Sequence, residues 1–80
     1  MAYTIKVPAG HLALAPNLIE RVKAMKYDLS HVALGMGATY LDLKYLNGFL
    51  IIDTDNLDFT QKFKLLNEML FGIHIIVTEK

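Results

Sequence analysis

The sequence predicts an α+β domain: a four-stranded antiparallel sheet with two helices on one of its faces. Three observations carry that prediction. Asn47-Gly48 stands between two runs of mixed apolar residues, ATYLDLKYL and FLIIDT. Short alternating segments, YTIKV and IHIIVTEK, open and close the chain. Between these strands lie two stretches whose apolar residues return at helical spacing.

In YTIKV, Tyr3, Ile5 and Val7 fall on one face and Thr4 and Lys6 on the other, the period of a half-buried strand. Pro8 and Gly10 end it. Pro16 suits the first turn of a helix, where a missing N–H is harmless. Leu18, Ile19, Val22 and Met25 then share a helical face, which predicts a helix over 16–27. DLSHVALGMG, residues 28–37, reads as a short strand or as a loop closed by Gly35 and Gly37.

Asn-Gly is the preferred pair for a two-residue type I′ turn, because both residues tolerate positive φ. Such a turn sets the register of the hairpin around it. Leu46 should face Phe49, Tyr45 Leu50, Lys44 Ile51, Leu43 Ile52, and Asp42 Asp53. Opposed residues share a face. Leu41, Leu43, Tyr45, Leu50 and Ile52 then form the core side, and Tyr40, Asp42, Lys44, Leu46, Phe49, Ile51 and Asp53 form the other. Next, Phe59, Phe63, Leu66, Met69 and Leu70 predict an inward helical face over 58–71, with Gln61, Lys62, Lys64, Asn67 and Glu68 outward. Gly72 suits the left-handed position that ends a helix. In the last strand Ile73, Ile75 and Val77 point inward, and His74, Ile76 and Thr78 outward.

The order βαββαβ is the ferredoxin-like plait, or split β-α-β. It makes residues 1–80 a single domain with one sheet face bare of helices.

The charge balance is even, with eight basic and eight acidic side chains, so no excess charge advertises nucleic acid or an anionic surface. Arg21 is the only arginine, which removes the usual group for bidentate phosphate recognition. There is no cysteine, so disulfides and thiolate metal sites are excluded. No apolar run approaches the roughly 18 residues of a membrane span, and the opening MAYTIKVPAG does not read as a secretory signal. The expectation is a soluble, cytoplasmic protein. Yet 54% of the residues are apolar. A chain this short buries only about 60% of the surface it exposes when unfolded, so apolar surface is left for a partner.

IIDTDNLDF, residues 51–59, clusters Asp53, Asp55 and Asp58. As a calcium loop counted from Asp53 it fails, with Leu57, Asp58 and Lys64 at positions that need an oxygen ligand, a glycine and a glutamate. Helix capping by Asp58 or Asp55, and an Asx turn at Asp55 and Asn56, account for the cluster instead. Asp53 opposes Asp42 on the bare face, and Lys6 is expected to relieve the repulsion, with Lys44 helping. A cation, or a partner's basic side chain, between these two carboxylates is the alternative.

His11, His31 and His74 lack the spacing of a helical zinc pair, and Ser30 beside His31 has no acid partner. No metal and no cofactor is expected. The short glycine turns at 8–11 and 35–37 lack the spaced glycines of a phosphate cradle. The RNA-recognition module shares the order βαββαβ, but in NGFLIID Asn47 stands where its motif wants a basic residue and Ile51 where it wants a stacking aromatic.

The bare face collects Tyr40, Leu46, Phe49, Ile51, His74 and Ile76, rimmed by Lys6, Asp42, Lys44 and Asp53. An apolar centre with a polar rim is interface anatomy. The sequence therefore predicts a non-enzymatic protein-binding module, an adaptor or inhibitor that forms a homodimer or grips another protein. One alternative is an oligomeric regulatory domain with a small ligand near His11 and Gly35–Gly37. Weaker ones are a degenerate RNA-recognition module and a minor catalytic role for Asp42 and Asp53 with His74.

Overall fold

A computed structural model describes residues 1–80. Four strands, β1 (Tyr3–Pro8), β2 (Leu41–Leu46), β3 (Phe49–Thr54) and β4 (Ile76–Glu79), form one sheet in the order β2-β3-β1-β4. Every neighbouring pair is antiparallel. Two helices, α1 (Leu18–Gly35) and α2 (Leu57–Phe71), and a 3₁₀ segment at Gly10–Leu14 complete it. No helix is long and apolar enough to cross a membrane.

The hairpin follows from its turn. Asn47 and Gly48 both have positive φ, 51° and 84°. All five opposed pairs expected from Asn47-Gly48 occur, and the ladder runs on to Leu41 opposite Thr54. The turn is also tied down, since the Ala9 N–H donates to Gly48 O at 2.8 Å.

Two expectations about α1 need correction. The helix does not stop near residue 27 but runs to Gly35, so most of 28–37 is neither strand nor loop. Val22, Met25 and Leu29 pack against the core, Ala33 is fully buried, and Met36 joins them just past the helix end. That spacing of three and four residues is one continuous helical stripe. At the other end Pro16 precedes the helix, and Asn17 enters it in a left-handed conformation, with Arg21 Nε donating to Pro16 O at 3.0 Å.

The core joins Ile5 and Val7 of β1, Leu41 and Leu43 of β2 and Ile52 of β3 to Ala33 of α1, Phe59 of α2 and Ile75. α1 lies chiefly against β2, and α2 reaches β1. Between them a cleft opens down to the sheet. One part of it, about 340 Å³, is lined by Met25, Leu29, Leu50 and Phe63 with Asp28 and Asn67 at its walls. The adjoining part, about 480 Å³, runs past Asn67 to His11, Leu12, Phe71 and Ile73.

α2 is also rolled relative to expectation. Thr60 is buried and Lys64, Asn67 and Glu68 are half-buried, whereas Leu66, Met69 and Leu70 lie exposed. The cause is the segment 72–75, which joins no strand. Its backbone needs partners, and α2 supplies them: Lys64 Nζ donates to Ile75 O at 3.0 Å, and Glu68 accepts the Ile75 N–H at 3.1 Å. These bonds draw the polar flank of α2 toward the sheet.

Candidate functional site

The register arranges the bare face in rows across the sheet. The first is apolar: Leu46, Phe49 and Pro8. In the second, Lys44, Ile51, Lys6 and Ile76 alternate charge and aliphatic surface. Asp42, Asp53, Thr4 and Thr78 form the third. Leu46, Phe49 and Ile76 are exposed and Ile51 is half-exposed, so the patch is open to a partner. Tyr40 lies exposed just before β2, and its carbonyl accepts the Thr54 hydroxyl at 2.8 Å. Pro8 was not expected here; its place two residues beyond Lys6, on the same strand face, was the available signal.

The acidic row is neutralised from within. Asp53 does not pair with Lys6, which sits opposite Ile51 and Ile76. Thr4 lies opposite Asp53 and donates its hydroxyl at 2.7 Å, and Lys80 Nζ approaches at 3.0 Å. Parity gives Lys6 the right face, but pairing between strands distant in sequence sets the row. Burial pushes the Asp53 pKa up, and the Thr4 hydroxyl and the Lys80 ammonium overcome it, leaving the carboxyl below its usual range. Asp42 pairs not with Lys44 but with Lys26, which reaches it from α1 at 3.0 Å. That hydrogen-bonded ammonium holds its pKa down.

Lys6 and Lys44 form no ion pair. They flank Ile51 on the strands either side of it, and Lys44 also helps to hold the Asp53 pKa down. His74 does not join the patch. It precedes β4, and its Nδ1 lies 3.7 Å from a Glu68 oxygen of α2.

Residues 53–60 are accounted for by structure. Asp55 is not the helix cap. Its carboxylate accepts both the N–H and the hydroxyl of Thr39, which hold its pKa below the usual value. Asn56 is the cap: its Oδ1 accepts the Phe59 N–H at 2.7 Å, and its Nδ2 donates to Met36 O at 3.1 Å. Asp58 does not cap either and pairs with Lys62 at 3.3 Å, one turn on. Together these bonds tie the end of α1 and the start of β2 to the junction between β3 and α2.

The three histidines are far from one another in role. His11 lies in the 3₁₀ segment beside the cleft, and His31 is not in a loop but on α1, edge-on to Tyr27 with ring centroids 4.4 Å apart. No group of three or more His, Asp or Glu side chains is placed to hold a metal ion. Compared with protein-family models, with curated proteins and with solved structures, the chain matches none.

Proposed function

We propose that this is a non-enzymatic protein-binding module with the ferredoxin-like plait, an adaptor or inhibitor whose bare sheet face grips another protein. The observation that carries this reading is the arrangement of that face. An apolar row of Leu46, Phe49 and Pro8 adjoins Ile51 held between two unpaired lysines. A centre of exposed aromatic and aliphatic side chains beside free charge is how protein interfaces are built. Because Asp42 and Asp53 are already paired, the complementary surface is apolar with acidic side chains near Lys6 and Lys44.

A second reading, an oligomeric regulatory domain holding a small ligand, draws on the cleft beside His11, whose volume falls within the range of ligand sites. Gly35 and Gly37 do not line it. RNA recognition is disfavoured, because Ile51 offers no ring for a base to stack on.

Native mass spectrometry of complexes recovered from the protein's own source tests the first reading. Wild type should retain a defined protein, and Phe49→Asp and the Lys6→Glu, Lys44→Glu pair should lose it while remaining folded by circular dichroism. Retention by both variants would remove the sheet face from the function. Recovery of a small molecule in place of a protein would favour the second reading.

A further inference from the structure

The last two turns of α2 read LLNEMLF, and their solvent side carries no charge. Glu68, the one charged residue, is half-buried and bonded to Ile75 N, with Lys64 and His74 beside it. Asn67 donates back to Phe63 O at 2.8 Å. What remains toward solvent is Leu65, Leu66, Met69, Leu70 and Phe71. A helix end whose whole solvent side is apolar belongs against something.

Beside this ridge runs the cleft between the helices, floored by Val7 and Leu50 and walled by Met25 and Phe63. The same chain therefore carries an apolar ridge and an apolar groove side by side. That pairing is what a twofold interface needs, because each copy must offer both halves of the contact. We propose that the C-terminal half of α2 and the adjoining cleft form an isologous homodimer interface, in which Leu66, Met69 and Leu70 of each copy seat in the other's cleft.

The area is adequate. The five ridge side chains bare on the order of 400 Å², about half of the ~800 Å² per partner of a stable interface. The cleft lining and the 3₁₀ segment, where Leu14 is almost wholly exposed, supply further apolar surface. Eight acidic and eight basic side chains leave two copies with no net repulsion. A lipid surface is a poorer occupant, since the lysines that flank the ridge are already engaged, Lys62 with Asp58 and Lys64 with Glu68 and the Ile75 carbonyl. This interface does not involve the sheet face, so it stands or falls separately from the proposed function.

Sedimentation velocity from 1 to 100 micromolar, with circular dichroism as the folding control, provides the test. Wild type should be dimeric, and Leu70→Glu and Met69→Lys should each weaken association by at least 100-fold while Phe49→Asp leaves it unchanged. A second measurement does not depend on those charged variants folding. The chain lacks cysteine, so Met69→Cys and Met25→Cys can be made separately with tags of different mass, mixed and oxidised. A mixed disulfide between copies is expected. A wild-type monomer at 100 micromolar, dissociation by Phe49→Asp alone, or binding to neutral lipid vesicles in place of dimerisation would each overturn the proposal.

Discussion

The two ends of α2 differ sharply in how they are buried. At its start Phe59 and Thr60 are 2% and 1% exposed, and the polar side chains of the preceding junction are bonded. At its end Met69, Leu70 and Phe71 are 72%, 71% and 70% exposed. One stripe of the helix, Phe59, Phe63, Leu66 and Leu70, passes from core to solvent within three turns. The difference teaches where a small domain places its stability. The junction spends polar side chains on fixing one geometry, and the far end is left with apolar surface that the subunit itself does not cover.

The largest expected effect tests that contrast directly. Phe59→Ala should lower the unfolding free energy by about 3–5 kcal/mol. Leu70→Ala, measured by denaturant unfolding of the isolated subunit, should change it by less than about 0.5 kcal/mol. Equal losses would mean that the end of α2 is packed as tightly as its start.

Next in size is the cap. Asn56→Ala removes the bond to the Phe59 N–H and the one to Met36 O together, and about 1–2 kcal/mol should be lost. Asn56→Asp keeps the cap and loses the donor to Met36, so it should fall between the two. If Asn56→Asp matches wild type, the tie to Met36 contributes nothing.

The hairpin turn offers a smaller, local comparison. Gly48 has φ of +84°, where a β-branched side chain is strained, and Gly48→Val should cost about 1 kcal/mol or more. Gly35 is helical with open space around its α-carbon, so Gly35→Ala should instead stabilise by about 0.5–1 kcal/mol. Chemical denaturation of both variants separates the two roles of glycine.

The smallest effect is that of acid. Asp42, Asp53 and Asp55 all have folded-state pKa values below the ordinary 3.8. Their contribution is complete above the unfolded value and is lost as pH falls through the folded ones. The melting temperature should be flat from neutrality to about pH 5 and decline below about pH 4. Combining Asp53→Asn with Asp55→Asn should make that decline shallower; an unchanged slope would assign acid sensitivity to other groups.

The parts of this fold legible in the sequence were the local ones. Asn47-Gly48 determines the β2–β3 register because two residues leave the chain no freedom between the strands. The continuation of α1 was encoded locally but misread: Leu29, Ala33 and Met36 extend the stripe of Val22 and Met25, yet Gly35 and Gly37 read as the close of a loop. The cap was misread because Asp55 and Asp58 flank Asn56, and all three residue types suit that position. The partners of Asp53 and Asp42 were beyond reach for a different reason. Thr4, Lys80 and Lys26 meet them through pairings and packing distant in sequence, which no local pattern encodes. The same holds for the roll of α2, set by Ile75 backbone groups that appear in no side-chain periodicity.

β1 lies in the middle of the sheet, yet both of its neighbours come from the far side of the chain. Residues 3–8 pair with 49–54 on one edge and 76–79 on the other. Of these four strands, then, the one made first is among the last to be completed. The β2–β3 hairpin, closed by a two-residue turn, can assemble as soon as its residues emerge, while YTIKVP waits with both hydrogen-bonding edges open. Its first docking surface is β3, and β4 can close over it only after α2 and residues 72–75 have been made. Contact order accordingly predicts that the long loop closure bringing residue 5 to residue 52, rather than the formation of either helix, limits the folding rate.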